Sequence, residues 1–212
     1  MRSIDLTHRL EPAMPVFPGT EQPGIEQANT LEDDGFREKK VCMYSHTGTH
    51  IDAPAHMDEN GKTLDAYPVE WFHGPACVYF HPDEHRKTIT VDLLEPLQSY
   101  LKTADFLLLA TGWDKYWATP EYFGDFPVLD EKAAKWLTQF SLKGIGLDVM
   151  SADMMKSKDF SIHRILFAKE LLIVENLKNL SNIPTPLCEF FCLPLNLADA
   201  DGAPVRALAI VD

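Results

Sequence analysis

The chain has 212 residues, 45% of them hydrophobic and 24% charged, which is enough for one domain with a sizeable core. Nineteen basic against thirty-two acidic side chains leave a net charge of −13, a field that repels nucleic acid and anionic membranes. No run of about 20 apolar residues is present to span a bilayer, and Met1-Arg2-Ser3-Ile4-Asp5-Leu6 lacks the apolar stretch of a signal peptide.

In chain order, Ile4 and Leu6 alternate with Asp5 and Thr7 and predict a first strand within residues 1–10, ended by the proline-rich segment 11–23. Phe17, between Pro15 and Pro18, sits in that stiff loop either as a buried anchor or as a ring presented to a ligand. Residues 26–36 are polar and turn-rich, and residues 39–45 predict a strand that leads into the most informative segment of the chain.

That segment is Ser45-His46-Thr47-Gly48-Thr49-His50-Ile51-Asp52-Ala53-Pro54-Ala55-His56. It places three of the eight histidines and one aspartate within eleven residues, and imidazole and carboxylate are ligands that Zn²⁺, Mn²⁺ and Fe²⁺ accept. On an extended strand His46 and His50 would lie roughly 13 Å apart, at about 3.3 Å per residue, too far to share an ion. The backbone must therefore turn, and Gly48 between two threonines is where it can. A continuous helix would also bring the two rings together, but glycine, β-branched threonines and Pro54 oppose one. The pattern predicts a compact metal-binding loop. The bland alternative, unrelated surface or core histidines, fits one isolated histidine better than this spacing. Zinc proteases share the His-x3-His spacing but need glutamate after the first histidine, where this chain has Thr47.

Beyond the loop, Asn60-Gly61 marks a turn, and Trp71 and Phe72 precede a strand at residues 76–80 as core aromatics. His73, His81 and His85 lie among Pro82, Asp83, Glu84 and Arg86 and read as a solvated loop. Leu93, Leu94, Leu97 and Leu101 predict an amphipathic helix over residues 92–102. Residues 106–110 predict a buried strand that delivers Thr111-Gly112-Trp113 to a loop. Asp130 caps a second helix with Ala133, Leu137 and Phe140 on one face and Gly144 as its stop, and residues 145–149 form the next strand. This alternation argues for α/β architecture in one domain, residues 1–212. Leu171 to Val174 are apolar and end on Glu175, a carboxylate that either emerges into solvent or is paired with a cation. No Cys-x2-Cys pair occurs, and Cys188 and Cys192 beside Phe190-Phe191 predict reduced, buried thiols in a cytoplasmic protein.

The 46–56 segment resembles the signature of the metal-dependent cyclase and kynurenine formamidase family, which includes isatin hydrolases. Pro15-Val16-Phe17-Pro18-Gly19, Thr111-Gly112-Trp113, Ile145-Gly146-Leu147-Asp148 with Ser151-Ala152-Asp153, and Val174-Glu175-Asn176-Leu177 resemble its other landmarks, in its order. The resemblance implies the swivelling β/β/α fold, a mixed sheet with packed helices. It also implies that His46 and His50 bind one metal and His163 another, with Asp52 and Glu175 bridging, so that two zinc ions per subunit are expected, manganese or iron being alternatives. His56 would be the proton donor and acceptor rather than a ligand, and Phe17 and Trp113 would contact substrate, although Trp113 could equally be a core residue.

By the same resemblance the chain is a metal-dependent amide hydrolase and a homo-oligomer, a dimer or tetramer. The substrate expected is N-formyl-L-kynurenine, released as kynurenine and formate, with an isatin-type lactam or another small cyclic amide or lactone as the alternative. The chemistry fits the residues, since a metal lowers the pKa of bound water toward about 7 and an imidazole of pKa about 6.5 can carry its proton to the leaving nitrogen. A metal-binding or small-molecule-binding protein without catalysis is the alternative of a different class.

Overall fold

The computed structural model describes residues 1–83 and 85–212. Strands β1 (Arg2–Asp5), β2 (Gly24–Asn29), β3 (Glu38–Cys42), β4 (His50–Asp52), β5 (His73–Phe80) and β6 (Thr88–Ile89) precede helices α1 (Val91–Leu94) and α2 (Gln98–Leu101). Then come β7 (Phe106–Ala110), β8 (Val128–Leu129), α3 (Glu131–Leu137), β9 (Gly144–Leu147), α4 (Ser161–Phe167), β10 (Leu172–Glu175), β11 (Leu187–Pro194) and β12 (Gly202–Val211).

Eight of these strands form one mixed sheet in the order β1-β12-β11-β5-β7-β9-β10-β4, and a further pairing of β12 with β4 closes it on itself. Its middle is parallel, β5 with β7, β7 with β9 and β9 with β10, and its remaining ladders are antiparallel. Parallel strands covered on both faces need apolar side chains at every position, and β7 reads Phe-Leu-Leu-Leu-Ala, buried throughout. Alternate residues then enter two cores. Phe106 and Leu108 join Leu172, Val174, Ile51 and Phe190 on the inner face of the closed sheet. Leu107 and Leu109 join Ile145, Leu147 and Ile173 on the outer face, under helix residues such as Leu94, Leu137 and Ile162. This is the mixed α/β fold that the family resemblance implies.

Where local structure departs from expectation the reason is local chemistry. The helix expected over residues 92–102 is broken into α1, a 3₁₀ turn at Glu95–Leu97 and α2, because Pro96 has no N–H and crowds the preceding turn. Asp130 caps α3, its carboxylate accepting from the Ala133 N–H at 2.7 Å, but the helix ends at Leu137 and Gly144 opens β9 instead of stopping the helix. Phe140 lies past the helix end, its ring 4.8 Å from Trp136. Residues 26–29, expected to be turns, belong to β2, which pairs with β3 in an exposed hairpin outside the main sheet. Phe72 is buried, Cys77, Cys188 and Cys192 are buried thiols, and none of the four cysteines is in a disulfide. Among the described residues, no helix is long and apolar enough to cross a membrane, and His73, His81 and His85 join no metal-competent cluster. Glu84, read with them as part of a solvated loop, lies outside the described residues.

Phe106 is fully buried and meets Phe190 edge-to-face at 5.2 Å. Its replacement in Phe106→Ala removes that packing and leaves a cavity that a closed sheet collapses poorly. Urea denaturation is expected to read a loss of about 3–5 kcal/mol.

Candidate metal centre

Strand β4 presents His50 and Asp52 on one face and Ile51 on the other, by the two-residue alternation of a strand. It is paired on both sides, with Glu175 opposite His50 and Ile173 opposite Asp52 across β10, and with Gly202 opposite Asp52 across β12. Directly opposed residues share a face, so Glu175 joins His50 and Asp52 while Ile51 and Val174 go to the inner core. A slip of one residue would exchange the carboxylate for a valine.

His46 reaches this face because the chain turns at Gly48, whose φ of +69° lies in the left-handed region. The turn brings the His46 and His50 ring centroids to 5.2 Å. The expected compact loop is therefore a turn over residues 46–49 followed at once by a strand. His56 ends a 3₁₀ turn, Pro54–His56, which Pro54 starts with its fixed φ, and its ring lies 3.9 Å from that of His46. His163 comes from the first turns of α4. The Asp153 carboxylate caps that helix from outside, accepting the Ile162 and His163 N–H groups at 3.0 and 3.1 Å.

Each buried histidine of the cluster is held by a second partner. His50 Nδ1 lies 2.8 Å from the Gly48 carbonyl, which directs Nε2 at Asp52 Oδ1 (3.1 Å) and Glu175 Oε2 (3.6 Å). His163 Nδ1 lies 2.6 Å from Asp153 Oδ2, which directs its Nε2 at Glu175 Oε1 (3.3 Å) and Asp52 Oδ2 (3.9 Å). Outer partners of this kind set the tautomer and aim of metal-binding imidazoles. His46 Nδ1 lies 2.6 Å from Asp52 Oδ1.

The carboxylates dominate the electrostatics. Asp52 is 1% exposed and Glu175 5%, and buried negative charge is costly without compensation. Burial opposes charging of the rings, yet Asp52 and Asp201 push the pKa of His46 up to about 10. His163 is likewise raised to about 10, against burial, by its contacts with Asp153 and Glu175, and His50 is raised by Asp52. Asp52, despite its burial, is held well below the usual carboxylate range by His50 and His46. His56 differs: burial lowers its pKa, and the neighbouring His46 and His163 add to the effect although Asp52 opposes it.

Candidate ligand atoms of His46, His50 and Asp52 all lie within 4.8 Å of one another, and so do those of Asp52, His163 and Glu175, with Asp52 common to both groups. Imidazole and carboxylate donors around buried charge fit a divalent zinc, manganese or iron ion. All five expected ligands and His56 line one cavity of about 450 Å³, walled by Phe17, Tyr44, Met57, Met150 and Phe160. Phe17 is thus among the residues that line the cavity. Trp113 is not. It lies in the outer core, edge-to-face with Tyr116 and donating through Nε1 to the Tyr122 carbonyl at 3.1 Å, because the 3₁₀ turn after Gly112 swings it under the sheet.

Two carboxylates of this site carry no role in the sequence reading, Asp153 and Asp201. Asp153 had a place in a recognisable motif, whereas Asp201 is 145 residues beyond His56 and no local spacing points to it.

Residues 4–154 match a protein family described as putative cyclase. The chain is 34% identical over 206 residues to a kynurenine formamidase of Geobacillus thermodenitrificans, covering 96% of this chain and 95% of that protein. In structure it resembles a predicted metal-dependent hydrolase from Bacillus stearothermophilus, with a TM-score of 0.77, 28% identity and 98% and 97% of the two chains covered. It also resembles an isatin hydrolase A from Labrenzia aggregata bound to benzyl benzoate, with a TM-score of 0.87 and 99% and 93% covered, a likeness that at 24% identity concerns the fold alone.

At pH 7 the raised pKa values leave His46 and His163 protonated in metal-free protein, so a divalent ion must displace those protons. Calorimetric zinc titrations in buffers of different ionisation enthalpy should therefore show proton release. Affinity should rise with pH, since deprotonating the rings removes the competitor. Replacing the outer partner, Asp153→Ala, should weaken zinc binding about 10- to 100-fold in the same titration.

Proposed function

This chain belongs to the putative cyclase family, and on that premise we propose that it cleaves a small aryl amide, N-formyl-L-kynurenine in preference to an isatin-type lactam. It is a metal-dependent amide hydrolase, as its relatives' names and its donor set both indicate. The observation that carries the substrate reading is the convergence of His46, His50, Asp52, His163, Glu175 and His56 on one cavity whose wall includes Phe17 and Phe160. An aryl ring matches that wall, and the amide then faces the histidines.

His46, His50 and Asp52 would hold one ion and His163, Glu175 and Asp52 a second, which supports two zinc ions per subunit, manganese or iron being served by the same donors. A divalent ion bound there supplies a nucleophilic water at neutral pH and polarises the carbonyl oxygen. The protein's own part is positional and acid–base. The strand register fixes the ligand spacing, and the apolar wall excludes bulk water and orients the ring. His56, whose pKa is lowered by burial, is neutral near pH 7 and so free to accept the water's proton and return it to the leaving nitrogen.

We also read the protein as a cytoplasmic homo-oligomer, a dimer in its smallest form. The β2–β3 hairpin supports this. It pairs outside the main sheet with Val41 about half exposed, and Tyr44, just past its end, is equally exposed and borders the cavity. Sedimentation analysis is expected to give a mass of at least two chains, and a Val41→Glu change should shift it toward one.

Protein stripped by a chelator and reloaded with zinc or manganese should regain N-formylkynurenine hydrolysis, followed by absorbance, with isatin turned over more slowly. Metal-loaded protein that cleaves neither compound would remove the aryl amide reading. His56→Ala should retain its metal, measured by atomic absorption, while kcat falls about 10²- to 10⁴-fold.

A further inference from the structure

The turn that opens β12 places one carboxylate against two rings with different tasks. Asp201 Oδ2 lies 2.8 Å from His46 Nε2 and 3.3 Å from His56 Nδ1, and Oδ1 accepts from the Ser45 hydroxyl at 3.1 Å. Its backbone is equally committed, because the Asp201 carbonyl accepts the Ala53 N–H at 2.8 Å, between the strand that carries Asp52 and the turn that carries His56. The next residue, Gly202, sits opposite Asp52 in the β12–β4 ladder. A Cβ on Gly202 would lie 2.4 Å from His46 Cε1 and 2.8 Å from both ring nitrogens, so any larger residue would displace the His46 ring from its place.

We propose that Asp201 is a positioning residue that, with Gly202 as the seat for the ring, holds His46 as an Nδ1 ligand and His56 as an Nε2 proton carrier. A carboxylate only accepts, so both imidazole nitrogens facing it carry protons. His46 Nδ1 faces a second carboxylate, Asp52 Oδ1 at 2.6 Å, but Asp52 belongs with His50 to the ion-competent group, so the Nδ1 proton is the one that a shared ion displaces while Nε2 keeps its hydrogen bond to Asp201. The Asp201 contact leaves Nε2 of His56 as the nitrogen that exchanges a proton with substrate. His50 and His163 have separate outer partners, the Gly48 carbonyl and Asp153. Asp201 instead couples a metal ligand to the proton carrier, so that neither ring can rotate without losing the same hydrogen-bond acceptor. The arrangement rests on the metal-hydrolase reading for its catalytic consequence but not for the tautomers.

The test is long-range ¹⁵N–¹H correlation spectroscopy of the zinc-loaded, full-length protein with ¹⁵N-labelled histidine. His46 is expected as the Nε2–H tautomer with zinc-shifted Nδ1, and His56 as the Nδ1–H tautomer. Asp201→Asn is expected to mix both tautomers, to keep the same zinc stoichiometry, and to lower kcat about 10- to 100-fold with KM within about twofold. Ser45→Ala, which leaves Oδ2 untouched, is expected to change kcat less than threefold. Zinc coordinated through His46 Nε2, tautomers unchanged in Asp201→Asn, or loss of one zinc equivalent in that variant would each overturn the proposal. The last result would make Asp201 a ligand, which its distances to His46 and His56 also allow. The tautomer measurement on wild-type protein needs no turnover, so failure of the amide-hydrolase reading would be seen separately, as zinc-loaded protein with the expected tautomers and no activity.

Discussion

Two carboxylates are carried into the protein interior by its own sheet, Asp52 on β4 and Glu175 at the end of β10, and much of the surrounding architecture answers their charge. Isolated buried carboxylates are among the costliest groups a fold can hold. Here three imidazoles stand within 4 Å of them, His46, His50 and His163. In the absence of an ion the carboxylates raise the pKa of all three rings, the electrostatic mark of a cluster that a cation would neutralise.

The closure of the sheet is what makes that arrangement stable. β4 is only three residues long, too short to hold its place by one ladder, and it is bonded to β10 on one side and β12 on the other. The inner core fixes its register through Ile51, which is fully buried beside Val174 and Ala203. The packing of one apolar residue therefore decides the direction of His50 and Asp52. This is the coupling between core and chemistry that period-two alternation imposes.

Around the cluster, the buried rings and His56 are held differently. His50 is tied to a backbone carbonyl and His163 to Asp153, each with its free nitrogen aimed at carboxylates. His56 sits farther out, in a short 3₁₀ turn, with a lowered pKa where those of His50 and His163 are raised. One short segment thus places its histidines in two environments because the strand ends between them. His50 and Asp52 are on β4, and His56 is past Pro54, where the chain has left the sheet.

By itself the sequence determined the local facts. The turn at Gly48, the apolar runs of β7 and β10 and the cap at Asp130 all follow from residue types within a few positions of one another. The family resemblance added His163 and Glu175, and the structure brings both to the face where His50 and Asp52 lie. Only the tertiary structure decided the rest. Trp113 looked like a substrate contact in a loop motif, but a positive-φ glycine and the depth of the outer core turned it inward. Pro96 broke a helix whose leucine spacing was otherwise regular. Asp201 had no local signal, because its meaning comes from a strand pairing that joins residues about 150 positions apart. Local chemistry is written in short-range spacing, whereas the partners of a charged group are set by which strands the chain closes against each other, and that depends on the burial of the whole core.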